Sequence, residues 1–506
     1  MGSTFGGIVQ AGTGLTAASY GLQVVSQNID NVDTPGYTRQ SAQQVSLDGV
    51  PGVPITYVNP SGLGGVGIAS TARLNDPVVD SRSRTEHGRQ AIADTNQTVM
   101  SQVENVFPEP SDTGLTEQLN DFWKTFSPLT SDAGSDAPRS VVLGAAATVV
   151  STLNAMSQSL DDVSASTAQS LNNTVTDVNA EAVQLNTLNK QIAIGVGAGQ
   201  SVNQLLDQRD VILGSLATQV DAKPTFNQDG TVSVAIGTAP NTQPLVSWTY
   251  HVGGGANQIN VDNGDPSTPA TYALTVSGGV PSAVPPIVST TPAPTATAVV
   301  PTGGEMSSFY TMLTSTATGI PAYKAQLDTV AQKLAASMNN QQAAGWDLNG
   351  NAGVAMFATS DGSSTFTAAN ITVASGFTDA NIAASSIDPT SPSDPSDPSS
   401  PAVGINLDGG NAMAASMLGT TATSPDKEYQ SLVGNIGQAS KLATQAQATQ
   451  TSVTTAVDQL RTAASGVSTD EEISNLLTYQ RSYQASSRVI STLDDMLDTL
   501  INKMGV

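Results

Sequence analysis

Each end of this 506-residue chain carries a heptad pattern, and that pairing constrains the fold more than any other feature. Near the N-terminus Ile8, Leu15, Leu22 and Ile29 recur every seven residues, and Ala11, Ala18, Val25 and Val32 follow each by three. Near the C-terminus Leu476, Tyr483, Ile490 and Leu497 take the a positions of a second seam, with Tyr479, Ser486, Leu493 and Leu500 at d. Such spacing puts one apolar stripe on a helix and aims it at a partner helix. Gly12, Gly14 and Gly21 lie off the first seam, and each weakens an isolated helix by about 1 kcal/mol relative to Ala. Neither end has the apolar surface to fold alone, so the termini are expected to be neighbours. Burying one Leu or Ile contributes roughly 1.5 to 3 kcal/mol, against a backbone ordering cost of about 1 to 2 kcal/mol per residue. Periodicity leaves two readings open: an intramolecular helical hairpin, or seams that order only when copies assemble. The expected interface is Ile8, Leu15, Leu22, Val25 and Ile29 at one end, with Leu476, Tyr479, Tyr483, Ile490, Leu493, Leu497 and Leu500 at the other.

Between these ends the pattern changes several times. The first helix stops at Asn31-Val32-Asp33-Thr34-Pro35-Gly36-Tyr37, where Pro35 biases Thr34 away from helical angles and Gly36 permits a left-handed turn. Extended structure is expected from Thr38 to Ala72, and helical periodicity from Pro77 to Gly214 with interruptions near Pro108, Pro110, Pro128 and Pro138. Within it Val175, Val178, Ala182, Leu185, Leu188 and Ile192 mark one face of a long helix. Gln228-Asp229-Gly230, between Phe226 and the alternating Val232, Val234 and Ile236, signals a hairpin. Strands are expected to continue to Pro301, followed by a helical block from Glu305 to Gln342 and a small polar module. The run DPTSPSDPSDPSSP, 388–401, reads as a flexible loop, and the last helices begin near Asp426.

These signals describe a multidomain α+β protein. Long terminal coiled-coil helices and a helical rod are built from both chain ends, and β-rich outer domains are inserted in the middle. The expected units are 1–60 with 468–506 as a coiled-coil core, and 61–215 with 302–345 and 426–467 as an elongated helical rod. A β-rich outer domain takes 216–301, and a small outer module takes 346–425.

Composition excludes several function classes. Lys and Arg number 18 against 42 Asp and Glu, a net charge of -24 that repels nucleic acid and anionic membranes. The absence of cysteine removes disulfides, thiol catalysis and cysteine metal sites. The first residues lack the basic and apolar regions of a cleavable signal, and no stretch reads as about 18 continuous apolar residues, so membrane insertion is not expected. Gly62, Gly64 and Gly67 match a dinucleotide fingerprint but lack a following helix, and Asp347, Asn349 and Asn351 begin a calcium-loop pattern that Ala352 and Ala358 break. His87 and His251 fall in different predicted units, and Asp161-Asp162 and Glu471-Glu472 diverge by about 100° on a helix. No cofactor, metal site or catalytic residue is expected, and the chain reads as a non-enzyme.

Asn28 to Gln40, reading NIDNVDTPGYTRQ, resembles the signature shared by bacterial flagellar rod, hook and hook-associated proteins, with Asn31, Thr34, Pro35, Gly36 and Tyr37 as its turn. Gly65-Val66, Arg73 and Asp76 continue the resemblance, as does the C-terminal helix from Asp470 to Leu500, while Asp30 departs from the usual Ala. Inside the chain, Leu205 to Asp210, Asn339 to Gln341 and Gly345 to Gly350 are similar to the hook-associated protein 1 family; 215–300 and 355–425 resemble nothing recognised. The resemblance implies export without a cleavable signal, through the flagellar type III channel, to an extracellular place on the flagellum. It implies terminal helices that order as coiled coils on assembly, and self-association into a ring on the hook. The implied partners are the hook protein, the second hook-filament junction protein and an export chaperone, for which the apolar seam from Leu476 to Leu500 is the natural docking surface. Rivals are a hook or distal rod protein and, from another class, a secreted enzyme or adhesin domain displayed on an axial scaffold.

Overall fold

The structure, a computed structural model, describes residues 4–47, 64–237, 242–249, 253–262, 273–277, 297–298, 300–388 and 408–499. Leu500, His251, Gly62 and most of the 388–401 run lie outside the described residues. Helix α1 (Thr4–Asp30) leads into strands β1 (Gln40–Ser46) and β2 (Val66–Arg73), which pair antiparallel with a register shift at Gln43/Gln44. Gly67 therefore lies in a strand rather than ahead of a helix.

Helix α2 (Pro77–Val106) starts where Asp76 accepts hydrogen bonds from the Val78 and Val79 amides, with Pro77 pre-set for the first turn. Helices α3 (Leu115–Lys124), α4 (Asp136–Gly197) and α5 (Asn203–Gln219) follow. The break expected near Pro138 falls just before it: α4 starts at Asp136, and the proline sits in the first turn, where its missing amide proton has no helical acceptor to lose. At 62 residues α4 is roughly 90 Å long and forms the spine of the molecule.

Strands β3 (Lys223–Phe226), β4 (Val232–Ile236), β5 (Gln243–Thr249) and β6 (Gly253–Ala256) make an antiparallel meander, and β7 (Gln258–Asp262), β8 (Ala273–Ser277) and β9 (Thr297–Ala298) a second sheet. The β3–β4 hairpin closes at Gly230, whose φ of 79° is the left-handed conformation expected there. Helices α6 (Gly304–Thr314) and α7 (Ile320–Ala343) precede a short β10–β11 ribbon (Phe357–Thr359, Ile371–Val373), α8 (Gly410–Ser416), α9 (Pro425–Ser465) and α10 (Thr469–Asp498).

Two apolar cores lie along the spine. The first packs Val142 to Leu160 of α4 against Leu115 to Phe126, Ile320 to Met338, and Tyr429 to Ile436 of α9. Met356, Phe357, Ile371, Phe377 and Ile382 belong to this same core, so the polar segment after α7 has no separate interior. Asn339 fastens it, donating to the Phe357 carbonyl and accepting from the Phe357 amide, each at 2.9 Å. The second core packs Leu171 to Leu188 of α4 against α5, β4, β5 and Met306 and Leu313 of α6.

By length and composition α4 could cross a membrane, which corrects the reading that no stretch approaches that character. The reason for the difference is that small residues such as Ala and Val, not a run of large ones, carry its hydropathy. Val142, Ala146, Val149 and Leu153 are wholly buried in the chain's own core.

Candidate assembly interface

Helices α1 and α10 pack antiparallel, and three glycines of α1 face Leu493, Ser486 and Tyr479 of α10. A Cβ at Gly7 would stand 3.2 Å from Leu493 Cδ1, one at Gly14 3.1 Å from Ser486 Oγ, and one at Gly21 inside the Tyr479 ring. Both series advance by seven residues in opposite directions. The missing side chains leave room for Leu493, Ser486 and Tyr479 to lie directly against the α1 backbone. Leu476, Ile490 and Leu497 are half-buried beside this contact, and Tyr483 is exposed. On α1, Val25 is buried and Ile8, Leu15, Leu22 and Ile29 are half-buried, while Val32, in the turn beyond, is exposed. Gly14 and Gly21, read from the sequence as lying off the seam, are thus at the centre of the helix pair. Periodicity scored only apolar side chains and could not register a contact made by their absence.

The next step of the glycine series is Asn28, and it faces Glu472. Both are buried, each with 1% of its surface exposed. The Asn28 side chain donates to the Gln40 carbonyl at 2.8 Å and to Glu472 Oε2 at 3.1 Å. Its Oδ1 accepts from the Tyr37 hydroxyl at 2.8 Å and from the Gln40 amide at 3.0 Å. Arg39 completes the site, donating to Glu472 Oε1 at 2.7 Å and to Glu471 Oε2 at 2.5 Å. Glu471 and Glu472 sit in the first turn of α10, where the helix dipole favours negative charge and Ser468 caps the end.

The turn itself is held by short local bonds. The Asn31 amide donates to the Gln27 carbonyl, Thr34 Oγ1 donates to Asn31 Oδ1, and the Tyr37 amide donates to the Thr34 carbonyl. Gly36, at φ 79°, lies against Val211 of α5, where a Cβ would overlap the valine side chain. Pro35 is exposed at the tip.

A second charged cluster ties this turn to α5. Arg73, at the end of β2, donates to Asp210 Oδ2 at 2.8 Å and to Thr38 Oγ1 at 3.0 Å, and reaches Asp207 Oδ1 at 2.7 Å. Burial holds the Asp207 carboxyl above its ordinary value, outweighing the opposite pull of Arg73. Burial also pushes the Tyr37 hydroxyl up to about 12, with the Asp207 and Glu472 carboxylates adding to the shift. Arg209 of the same segment donates to the Gly230 carbonyl and lies 4.9 Å over the Phe226 ring, joining α5 to the β3–β4 hairpin. Segments that resembled one family at four separate places, around residues 28–40, 73, 205–210 and 470–472, therefore meet in one connected network.

Glu471 and Glu472, expected to diverge, converge on Arg39, and other motifs set aside in the sequence make local structural contacts. Asp347 Oδ1 accepts from the Asn349 and Asn351 amides, a polar turn turned in on itself. His87 bonds Asp458 of α9 at 2.9 Å and bridges α2 to α9. Among the described residues no group of acidic, His or Cys side chains is arranged to hold a metal ion.

Known proteins resemble this chain in sequence and fold. The Flagellar hook-associated protein FlgK helical domain matches residues 100–357, about half of the chain. Flagellar hook-associated protein 1 of Bacillus subtilis (strain 168) is 30% identical, over 100% of this chain and 99% of that protein. This chain belongs to the flagellar hook-associated protein 1 family. The Escherichia coli (strain K12) member is 26% identical over 98% of this chain and 99% of its own length. The C-terminal region of Flagellar basal body rod FlgEFG proteins matches residues 449–503, which span the end of α9 and all of α10. In fold, the flagellar hook junction protein FlgK from Burkholderia pseudomallei superposes with a TM-score of 0.61 at 18% identity, covering 76% of this chain and 100% of that one. The hook-associated protein 1 family is a structural flagellar family, and helix-rich α+β is its fold.

Proposed function

We propose that this chain is a structural component of the bacterial flagellum that forms the hook-filament junction and is required for filament assembly. The single observation that carries this reading is the end-to-end similarity to flagellar hook-associated protein 1, with no large part of either chain left over. The match at 449–503 alone would fit a rod or hook protein equally well. The helical-domain match across 100–357 favours the hook-associated member.

In this reading the helix pair of 1–60 and 468–506 is the axial core. The unit of 61–215, 302–345 and 426–467 is the rod, and 216–301 and 346–425 face outward. Subunits associate into a ring on the hook, contacting the hook protein below and the second junction protein above. Two surfaces support self-association. Helix α10 leaves Ile473, Leu477, Val489 and Met496 about half exposed, apolar surface available to neighbouring copies or to an export chaperone. A groove of about 920 Å³ beside α1 is lined by Val9, Gly12, Thr13, Leu47, Ile68 and Val202 among others, and none of its described lining residues is charged. On a chain of net charge -24, such a groove is where copies can approach without repulsion. Export through the flagellar channel completes the proposal.

Deletion of the gene, followed by electron microscopy of the cell surface, tests it. Hooks without filaments, with flagellin lost to the medium, are the expected result. Missing hooks would reassign the chain to the rod or hook, and normal flagella would overturn the reading.

A further inference from the structure

The glycine stripe raises a question of register. Gly7, Gly14 and Gly21 offer the same flat surface every seven residues, so a helix that slid along α1 by one heptad would meet glycine again. After such a slip Ser486 would stand over Gly7 and Tyr479 over Gly14, each again opposite a residue with no side chain. Packing along the repeat therefore discriminates poorly between the two arrangements. The difference lies at the fourth step, where the series ends in Asn28 opposite Glu472.

We infer that Asn28, Arg39 and Glu472 are the register lock of the terminal helix pair. The Asn28 amide cannot adapt to a moved partner. Its oxygen is claimed by the Tyr37 hydroxyl and the Gln40 amide, and one of its two N–H bonds by the Gln40 carbonyl. The Gln40 amide can only donate, which fixes which end of the Asn28 side chain is oxygen. A single N–H is left, and it points at Glu472 Oε2. Arg39 supplies the opposing charge from the same turn, to the other carboxylate oxygen.

A seven-residue slip carries Glu472 about 10 Å along α1, opposite Gly21. There the carboxylate would be buried against helix backbone, far from both of its donors. A buried charge without its partners is strongly disfavoured, which is how one polar pair can specify register in an otherwise apolar coiled coil. The Asn28 to Gln40 turn thus reads the height at which α10 docks. Because Arg73 joins Thr38 of that turn to Asp210 of α5, a correctly docked α10 is coupled to the rest of the molecule. This lock concerns the pairing of the chain's own ends and does not depend on what the chain assembles into.

The chain has no cysteine, so introduced thiols report cleanly. In the purified full-length chain, Gly14→Cys with Ser486→Cys reports the observed register. Gly7→Cys with Ser486→Cys reports the slipped one, since those positions are otherwise separated by about 10 Å along the axis, beyond the reach of a disulfide. With the lock intact, intramolecular crosslinking of the first pair is expected to exceed the second by about tenfold or more, the scale set by hydrogen bonds to a buried charge. Adding Asn28→Ala and Glu472→Ala is expected to bring the two yields within about threefold of each other, while Leu493→Ala, which trims the seam without touching the lock, leaves the ratio high. The inference is overturned by a ratio that Asn28→Ala with Glu472→Ala does not change. It is overturned equally by comparable yields with the lock intact, or by loss of both crosslinks in the lock variant, which would make these residues necessary for pairing rather than for register.

Discussion

Gly21 lies flat against the Tyr479 ring, so closely that a methyl group at position 21 would overlap ring carbons Cδ1 and Cε1. Gly12, in the same helix, has nothing within 4 Å of its Cβ position. The same substitution should therefore act in opposite directions at the two sites. Gly→Ala favours the helix by about 1 kcal/mol in either place. At position 21 overpacking costs about 1 to 3 kcal/mol, so Gly21→Ala is expected to weaken the α1–α10 pair while Gly12→Ala strengthens it. Hydrogen exchange of α10 amides in the two variants separates these effects, and slower exchange in both would contradict the close contact.

The Tyr37 hydroxyl gives the terminal helix pair an alkaline limit. Its folded value of about 12 lies above the ordinary tyrosine value of 10.0. In the unfolded chain Tyr37 ionises first, so the folded state holds the extra proton through this window, and stability falls as pH rises from about 10 to about 12. Below 10 the contribution is fully present. Tyr37→Phe should remove this alkaline slope while costing about 1 kcal/mol at neutral pH through the lost bond to Asn28. Thermal melts across pH 8 to about 12 compare the two chains; an unchanged slope in the variant would assign the alkaline loss to other groups.

Arg139 holds the first core together through carbonyls rather than carboxylates. It is almost fully buried, and donates to Ala133 at 3.1 and 2.7 Å, to Asp379 at 3.2 Å and to Ile382 at 2.6 Å. Burial lowers its pKa, with Asp136, Asp347 and Asp379 opposing the shift. Arg139→Leu would leave the buried Ala133 and Ile382 carbonyls without their donor, Asp379 keeping its bond from the Ile382 amide, and is expected to destabilise the chain by about 3 kcal/mol or more. Arg139→Lys should rescue little, because a single ammonium cannot reproduce the planar fork. Denaturant unfolding is the measurement, and a Lys variant as stable as the parent chain would show that charge alone suffices.

How much of this was legible in the sequence depended on which signal each element left. The β3–β4 hairpin, the turn at Pro35-Gly36 and the long helix through Val175 to Ile192 declare themselves through turn residues and apolar spacing. The contact stripe of α1 does not, because glycine contributes nothing to an apolar pattern, and the visible period points to Ile8 and Leu15 beside it. Arg73 with Asp207 and Asp210, or Asn28 with Glu472, are charged and polar residues far apart in the chain. Nothing local marks them as partners; only the family resemblance placed them among the residues of interest. Pro138 marked a real break, but whether a proline ends one helix or opens the next is known only once the helix start is known.

Leu493 offers the sharpest separation of folding from assembly. It packs over Gly7 at the far end of the terminal pair and belongs to neither of the two apolar cores along α4. Leu493→Asp should therefore leave both cores and the solubility of the chain intact. On α10 it puts a carboxylate into the glycine stripe, where no cation among the described residues of α1 stands opposite, since α1 contains no Lys or Arg. The expected outcome is a chain that is made and exported but does not incorporate, giving hooks without filaments and cells that do not swim. Electron microscopy and motility of a strain carrying only this variant check it, together with circular dichroism of the purified chain. Normal swimming would mean that the paired terminal helices are not the structure on which assembly depends.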